Sequence, residues 1–187
     1  MEPVNAAVIY YSATVHALAQ AAADGAEKAG ANTRLRNVAE LAPPEAISAK
    51  LARAQHLQNI DIGQAAVGDL AWADVVLLGT PTRFGNPANQ LRAFIDTAGP
   101  LWHRGGLAGA LLALGNVFYH GGDIIVPPCY TDPVQFQSGN PCGISRVADD
   151  GPPSDVALEA ARYQAQRAVD AAATLKTGRT TSSEPMP

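Results

Sequence analysis

The stretch Ala6–Tyr11, AAVIYY, decides the fold, because it is a continuous apolar run with β-branched and aromatic residues that ends at Ser12. A run of this kind predicts a strand that is buried on both faces, as the strands of parallel sheets are. Val75–Leu78, VVLL, is a second run of the same type. The two runs therefore predict two buried strands of a parallel sheet.

Helical stretches alternate with strands in the first half of the chain. Val15–Ala29 is rich in alanine and predicts a helix, and Asn32–Val38 alternates like an edge strand. Two prolines open a further helical stretch, Glu45–Leu57, and Gln58–Ala71 is expected to be irregular. Alternating strands and helices predict an α/β fold with a parallel sheet, in which ligands bind beyond the carboxyl ends of the strands.

The second half of the chain continues this pattern. A helix is expected to begin at the cap Asn86, with Pro87 in its first position, and to end at Ala98. Asp123–Val126 predicts a strand, and Asp155–Lys176 predicts a final helix. The remaining residues, 177–187, contain no apolar run and predict a disordered tail, which leaves one domain over residues 1–176.

The segment in which a fourth strand is expected is too short to hold both a strand and a crossover helix. A parallel crossover needs a dozen or more residues, usually including a helix. If Ala110–Leu114 is the strand, only Gly115–Gly122 is left to cross over before the next strand. If Leu111–His120 is the helix, the strand before it is absent. The residues alone leave both alternatives open.

Composition and charge exclude several classes of protein. The chain has 187 residues, 47% of them hydrophobic, and a net charge of −4, so it is neither disordered nor equipped with a basic surface for nucleic acid. No apolar stretch is long enough to cross a membrane, and no basic segment precedes the first apolar run as in a signal peptide. Two cysteines, Cys129 and Cys142, are too few for a disulfide framework and are expected to be incidental. A cytoplasmic protein is expected.

Three stretches could contact a ligand, and each has a simpler alternative. Ser12-Ala13-Thr14 lies at a strand-to-helix turn and could bind an anion, or simply cap the helix. The loop from Gly79 to Asn86 is shaped to approach a flat ligand, or is an ordinary loop with Arg83 as a surface charge. Trp102 could stack on a planar ligand or cover the core. His120 is either a ligand contact or a cation at a helix end, and the histidines have no metal-binding spacing.

Several motifs resemble the WrbA family of flavodoxin-like proteins, the type IV NAD(P)H:quinone oxidoreductases. The carrying motifs are GTPTRFGN from residue 79, QLRAFIDTAGPLW from residue 90 and YTDPVQFQSGNP from residue 130. The resemblance extends over most of residues 4–176. It implies a flavodoxin-like, doubly wound parallel sheet, noncovalently bound FMN, NADH or NADPH as cosubstrate, two-electron reduction of a quinone substrate, and assembly as a homo-oligomer, a tetramer.

The resemblance also assigns roles to individual residues. The turn formed by Ser12, Ala13, Thr14, Val15 and His16 matches the turn that binds the FMN phosphate. The stretch of Pro81, Thr82, Arg83 and Phe84 matches the loop beside the ribityl chain and the flavin ring. Trp102 matches an aromatic of the quinone pocket, and His120 matches a position close to the flavin edge. Together these roles imply hydride transfer from nicotinamide to flavin N5 and then reduction of a quinone in the same place.

Two segments of the chain are expected to be shorter than in the family pattern. The turn at Ser12–His16 is expected to be about two residues shorter than Gly-containing phosphate loops. Between Ala110 and Leu111, roughly twenty residues are expected to be missing, enough for a short strand and its flavin-wrapping loop. We therefore expect a sheet without its usual fourth strand and weakened FMN binding. The alternatives are a non-catalytic relative that acts only through subunit association, and a damaged chain with little folded function.

Overall fold

The chain builds a parallel sheet between two layers of helices, as the alternating pattern predicts. The computed structural model describes residues 2–49, 55–56, 60–103, 111–112, 123–147 and 151–181. Within these residues, no helix is both long and apolar enough to cross a membrane. The sheet fixes the positions of the loops that follow its strands.

The central strand is β1, Asn5–Tyr10, which contains most of the apolar run that begins the chain. It pairs in parallel with β2, Asn32–Asn37, on one side and with β3, Val75–Gly79, on the other. The edge position predicted for the Asn32–Val38 strand is confirmed, because β2 is the first strand of the sheet. Five of the six residues of β1 are buried, as expected for a strand covered on both faces.

A fourth strand is present, which corrects the expectation that the sheet lacks it. After the hairpin strands β4, Thr82–Arg83, and β5, Asn86–Pro87, the strand β6, Leu111–Leu112, pairs in parallel with Val75 and Val76. The order of the main sheet is β2-β1-β3-β6, the start of the doubly wound order of flavodoxin-like sheets. Of the two alternatives at this place, the structure describes a strand at Leu111 and Leu112, within Ala110–Leu114, and the neighbouring residues lie outside the described part of the chain.

Seven helices have described bounds. They are α1 Ala13–Lys28, α2 Pro44–Ser48, α3 Val67–Trp72, α4 Asn89–Asp96, α5 Gly99–His103, α6 Pro133–Ser138 and α7 Asp155–Thr181. Helix α7 begins where predicted and extends to Thr181, so five residues assigned to a disordered tail are helical. The rest of that tail lies outside the described residues.

Each face of β1 packs against its own pair of helices. Val8 and Tyr10 point to a core shared with α1 and α7, and Ile9 and Tyr11 point to a core shared with α3 and α4. Helices α1 and α7 pack closely, since a Cβ at Gly25 would lie 2.3 Å from the carbonyl oxygen of Arg162. This alanine-rich contact holds α1, and with it the turn after β1, against the sheet.

Four predicted elements are wrong in part. Gln58–Ala71, expected to be irregular, contains most of α3, whose start is fixed by the Asp69 carboxylate accepting from Ala66 N–H at 3.1 Å. The helix predicted over Glu45–Leu57 is described as α2 and residues 55–56, the remainder lying outside the described residues. Asp123–Val126 contributes only an isolated bridge at Ile124. Asn86 is not a helix cap but a hairpin residue, for the reason given below.

Candidate functional site

The carboxyl ends of β1 and β3 lie side by side and define the edge where a ligand is expected. Tyr10 and Gly79 are register partners, and the N–H of Tyr11 donates to the Gly79 carbonyl oxygen at 2.9 Å. The segment after Tyr11 and the segment after Gly79 therefore leave the sheet at the same point. Two of the three stretches singled out in the sequence are brought together in this way.

The turn after β1 leaves its hydroxyl groups unused for helix capping. Ser12 occupies the N-cap position of α1, yet its side chain accepts no hydrogen bond from the helix N–H groups. Instead, Ser12 Oγ and Thr14 Oγ1 lie 3.2 Å apart. Ser12 also has a φ of 86°, in the left-handed region that non-glycine residues rarely adopt. The capping alternative for Ser12 is thus wrong, and the start of α1 keeps N–H groups available for an anion.

The loop after β3 is a tight hairpin. Strands β4 and β5 pair in antiparallel fashion, Thr82 opposite Pro87 and Arg83 opposite Asn86. The two residues between them, Phe84 and Gly85, have φ values of 51° and 78°. Both central residues with positive φ are the hallmark of a type I′ hairpin turn. This pairing takes Asn86 and Pro87 into a strand, so α4 starts two residues later than predicted, with Ala88 at its N-cap.

Phe84 is placed at the tip of this hairpin without any cover. Its side chain is fully exposed at 104% of the reference area, although it is among the most apolar side chains of the chain. Asn86 Nδ2 donates to the Phe84 carbonyl oxygen at 3.2 Å and so fixes the turn. The base of the hairpin is fixed by Thr80, whose hydroxyl accepts from Ala88 N–H at 3.0 Å. The positive φ and the full exposure make the Phe84 ring a candidate contact for a ligand or another chain.

Glu40 connects the bases of the two loops from the other face of the sheet. Its carboxylate accepts from the Tyr11 hydroxyl at 2.9 Å and from Gln90 Nε2 at 3.0 Å. It also accepts from the backbone N–H groups of Leu41 and Ala42, each at 2.8 Å. Glu40 therefore ties the end of β1 to the start of α4.

A cavity of about 550 Å³ opens between the two loops. Thr14 and Val15 of α1 line one side of it, and the hairpin residues Pro81, Thr82 and Arg83 line another. Its volume lies within the range of small-molecule and cofactor sites. Five of the predicted cofactor-binding residues thus share one cavity.

The other predicted site residues are not among the described residues that line the cavity. Ser12, Ala13, His16 and Phe84 are near this edge but do not line the cavity. Trp102 belongs to α5, which directly follows α4, and its side chain lies outside what the structure describes. His120 also falls outside the described residues.

His16 points to an internal partner. The Tyr10 hydroxyl and His16 Nδ1 are 2.6 Å apart, and the rings of His16 and His56 approach at 5.3 Å between centroids. Burial raises the pKa of Tyr10 to about 12 and lowers the pKa of His16. Burial and the neighbouring His16 both lower the pKa of His56. These shifts favour neutral rings, so His16 is placed to support the turn rather than to supply a positive charge.

The sequence analysis missed the third wall of the cavity. The loop of residues 140–146, which follows α6, lines it, and so do Ala161 and Gln164 of α7. Arg146 in this loop brings a second cation to a cavity that already has Arg83. The loop contains Asn140, Pro141 and Gly143, whose turn-forming character was the available signal, but no local pattern shows that it folds back onto β3. In the described part of the chain, no three His, Cys, Asp or Glu residues are close enough to hold a metal ion.

Comparison with known proteins agrees with this geometry. Residues 12–124 match the family model described as NADPH-dependent FMN reductase. A protein of Deinococcus radiodurans named NAD(P)H dehydrogenase (quinone) is 37% identical, covering 92% of this chain and 98% of that protein. A protein of Paracoccus denitrificans with the same name is 36% identical, covering 92% of this chain and 95% of that protein. The resemblance to the WrbA family is confirmed.

The solved structures agree on the fold. A flavodoxin, WrbA-like protein from Agrobacterium tumefaciens superposes with a TM-score of 0.58 at 20% identity, covering 91% of this chain and 98% of that one. This confirms the flavodoxin-like fold class.

The alignment with the Deinococcus protein contains gaps. It spans 195 positions, of which residues of this chain fill about 172, that is 92% of 187. In total, about 23 aligned positions are not filled by this chain.

Proposed function

The chain belongs to the NADPH-dependent FMN reductase family, and from this premise we propose that it is an FMN-dependent NAD(P)H:quinone oxidoreductase. The observation that carries the proposal is the cavity at the carboxyl ends of β1 and β3, which is lined by the same two loops that the sequence singles out. Relatives that align over nearly their whole length are named for NAD(P)H and quinone, which supports the choice of substrates.

The residues of this edge fit a phosphate-bearing flavin. An anion at the start of α1 meets the backbone N–H groups of the first turn, which the Ser12 side chain does not cap, and the hydroxyls of Ser12 and Thr14. Arg83 and Arg146 add positive charge to the cavity. Ala13, Val15 and His16 complete the turn, with His16 held by Tyr10. We assign the FMN phosphate to this turn.

The hairpin is assigned to the flat part of the flavin. Pro81, Thr82 and Arg83 form the wall of the cavity, and the strained tip presents Phe84 beyond it. When bound, FMN supplies the hydride chemistry, taking two electrons from NADH or NADPH and passing them to a quinone. The residues of the chain bind and orient the planar groups and exclude water, and the reaction needs no acid–base pair from them because the cofactor carries the redox step.

Two further roles rest on the family resemblance. Trp102 is assigned to the quinone pocket and His120 to the flavin edge. Replacing Trp102 by Ala should then slow quinone reduction more than it lowers the melting temperature. A homo-oligomeric assembly, a tetramer, and a cytoplasmic location belong to the same proposal.

The test is an assay of NAD(P)H oxidation by the purified chain, with a soluble benzoquinone as acceptor and with FMN either added or omitted. The proposal predicts oxidation that requires both FMN and the quinone. Because the turn at Ser12–His16 is short, we expect added FMN to be needed for full rate. A chain that binds FMN but oxidises neither NADH nor NADPH with any quinone supplied would support the non-catalytic alternative instead.

A further inference from the structure

The two cysteines of the chain, thirteen positions apart, are brought together by the fold. Cys129 precedes α6 and Cys142 follows it, and the N–H of Cys129 donates to the Pro141 carbonyl oxygen at 2.9 Å. The Pro141 carbonyl carbon is bonded to the nitrogen of Cys142, so bond lengths limit the separation of the two cysteine α-carbons to about 7 Å. Native disulfides join α-carbons about 4.4–6.8 Å apart. The pair is within or at the edge of bonding range.

Side-chain hydrogen bonds hold this arrangement in place. The N–H of Cys142 donates to Asn140 Oδ1 at 3.0 Å, and Asn140 Nδ2 donates to Ser145 Oγ at 3.1 Å. On the other side, the hydroxyl of Thr131 donates to the Pro128 carbonyl oxygen at 2.7 Å. Both cysteine backbones are therefore fixed by neighbours on either side of α6.

The two thiols differ in access. Both are free, Cys142 is exposed and Cys129 is half-buried. Cys142 also lies on the loop that lines the 550 Å³ cavity. An exposed thiol beside a less accessible one is the arrangement in which the first attacks an oxidant and the second resolves the adduct.

We propose that Cys129 and Cys142 form a modification site, a reversible intrachain disulfide that fastens the 140–146 wall of the cavity to residue 129. The oxidant is a small-molecule disulfide such as glutathione disulfide. The Cys142 thiolate attacks one sulfur of glutathione disulfide, which forms a mixed disulfide and releases one glutathione thiolate. Cys129 then displaces the second glutathione, so two protein thiols become one disulfide and one glutathione disulfide becomes two glutathione thiols.

The test is thiol titration and mass spectrometry of the full chain after incubation with excess glutathione disulfide. Because the chain has only two cysteines, titratable thiols should fall from two to zero, with an internal disulfide and no bound glutathione. Dithiothreitol should restore both thiols. Hydrogen exchange of residues 139–146 should slow several-fold in the oxidised form. None of these measurements depends on FMN, NAD(P)H or quinone, so their failure is distinct from failure of the proposed function.

Two matched variants test the order of the steps. Cys129→Ser should stop at one glutathione bound to Cys142, and Cys142→Ser should react several-fold more slowly because its remaining thiol is half-buried. The proposal is overturned if the wild-type chain keeps two titratable thiols, carries two glutathiones, or forms disulfide-linked dimers as its main product. Unchanged hydrogen exchange after oxidation would overturn the fastening of the cavity wall.

Discussion

Gly79 is the residue at which the two loops of the site come closest. A Cβ at this position would lie 2.7 Å from Val15 Cγ1 and 3.1 Å from Tyr10 Cβ. Val15 is β-branched and stiff, so it cannot move aside without shifting the first turn of α1. Position 79 has no room for a side chain because the first turn of α1 packs against the end of β3.

We predict that Gly79→Ala destabilises the fold by about 1–3 kcal/mol, the usual cost of overpacking a filled space. It should also weaken FMN binding, because the start of α1 is displaced. Gly68→Ala is the matched control, since nothing lies within 4 Å of a Cβ there. Thermal unfolding of both variants checks this, and equal melting temperatures would show that the turn is not tightly packed on β3.

The carboxyl group of Asp123 has a raised pKa. Its two carboxylate oxygens are buried and have no hydrogen-bond partner among the described residues. Burial raises the pKa of Asp123 from 3.8 to about 6. The folded protein therefore binds this proton more tightly than the unfolded chain does, and the free energy of unfolding falls as pH rises from 3.8 to about 6.

The variant Asp123→Asn should remove this dependence. At pH 7 we expect it to be more stable than the wild type by about 1 kcal/mol, a value reduced for solvent screening. The advantage should shrink below pH 6 and vanish near pH 4, where the wild-type carboxyl is neutral. Asp61→Asn, at an exposed position, should leave the stability nearly unchanged. Urea unfolding at several pH values checks both variants, and a constant difference across pH would contradict the assignment.

At the scale of elements, the β4–β5 hairpin holds Phe84 at a positive φ, which lowers the stability of the fold. A type I′ turn favours asparagine where Phe84 stands, because asparagine adopts positive φ readily and phenylalanine does not. Nothing in the described part of the chain covers the exposed ring. This combination is typical of a residue kept for contact with a ligand or a second subunit.

Phe84→Asn should therefore have opposite effects on stability and on activity. We expect unfolding to cost about 0.5–1 kcal/mol more, from relief of the left-handed strain. FMN-dependent NAD(P)H oxidation should fall at least several-fold, because the hairpin loses its aromatic surface. Leu41→Asn, a change at another exposed apolar side chain, controls for loss of surface hydrophobicity. If Phe84→Asn retains full activity, the hairpin tip has no part in the site.

Local pattern was sufficient for the central strands and for the long helices, since β1, β3 and α7 bury continuous or periodic apolar residues. It failed where pairing decides the structure. Asn86 and Pro87 are good helix-start residues, and only the turn at Phe84 and Gly85, with its unfavourable φ for phenylalanine, draws them into a hairpin. A positive φ at a bulky residue leaves no trace in the sequence.

For the candidate site too, local pattern predicted some parts and long-range packing decided the others. The start of α1 and the hairpin wall could be predicted because both follow buried strands of one parallel sheet. The wall at residues 140–146 could not, because its position depends on how α6 and α7 pack, and on the proximity of Cys129 to Pro141. The fourth strand was expected to be missing because spacing alone does not show that Leu111 and Leu112 pair with β3.

At the scale of the whole molecule, the chain is a family member that leaves about 23 positions unfilled in its alignment with the relative from Deinococcus radiodurans. Among the described residues, β6 pairs with β3 and the two cores on either side of β1 are formed. The shortening expected after Ala110 falls on the ligand side of the sheet, where the loops that follow the strands contribute to cofactor sites. We therefore expect FMN to bind in the cavity, and to bind less tightly than in full-length relatives.

A titration of the purified chain with FMN, followed by flavin fluorescence, tests this central claim most directly. The account predicts saturation at one FMN per chain. Arg83→Gln, which removes a cation from the cavity, should weaken binding about five- to tenfold. Arg92→Gln, which removes an exposed cation from α4 outside the cavity, should leave binding unchanged. A wild-type chain that shows no saturable binding of FMN would contradict the account.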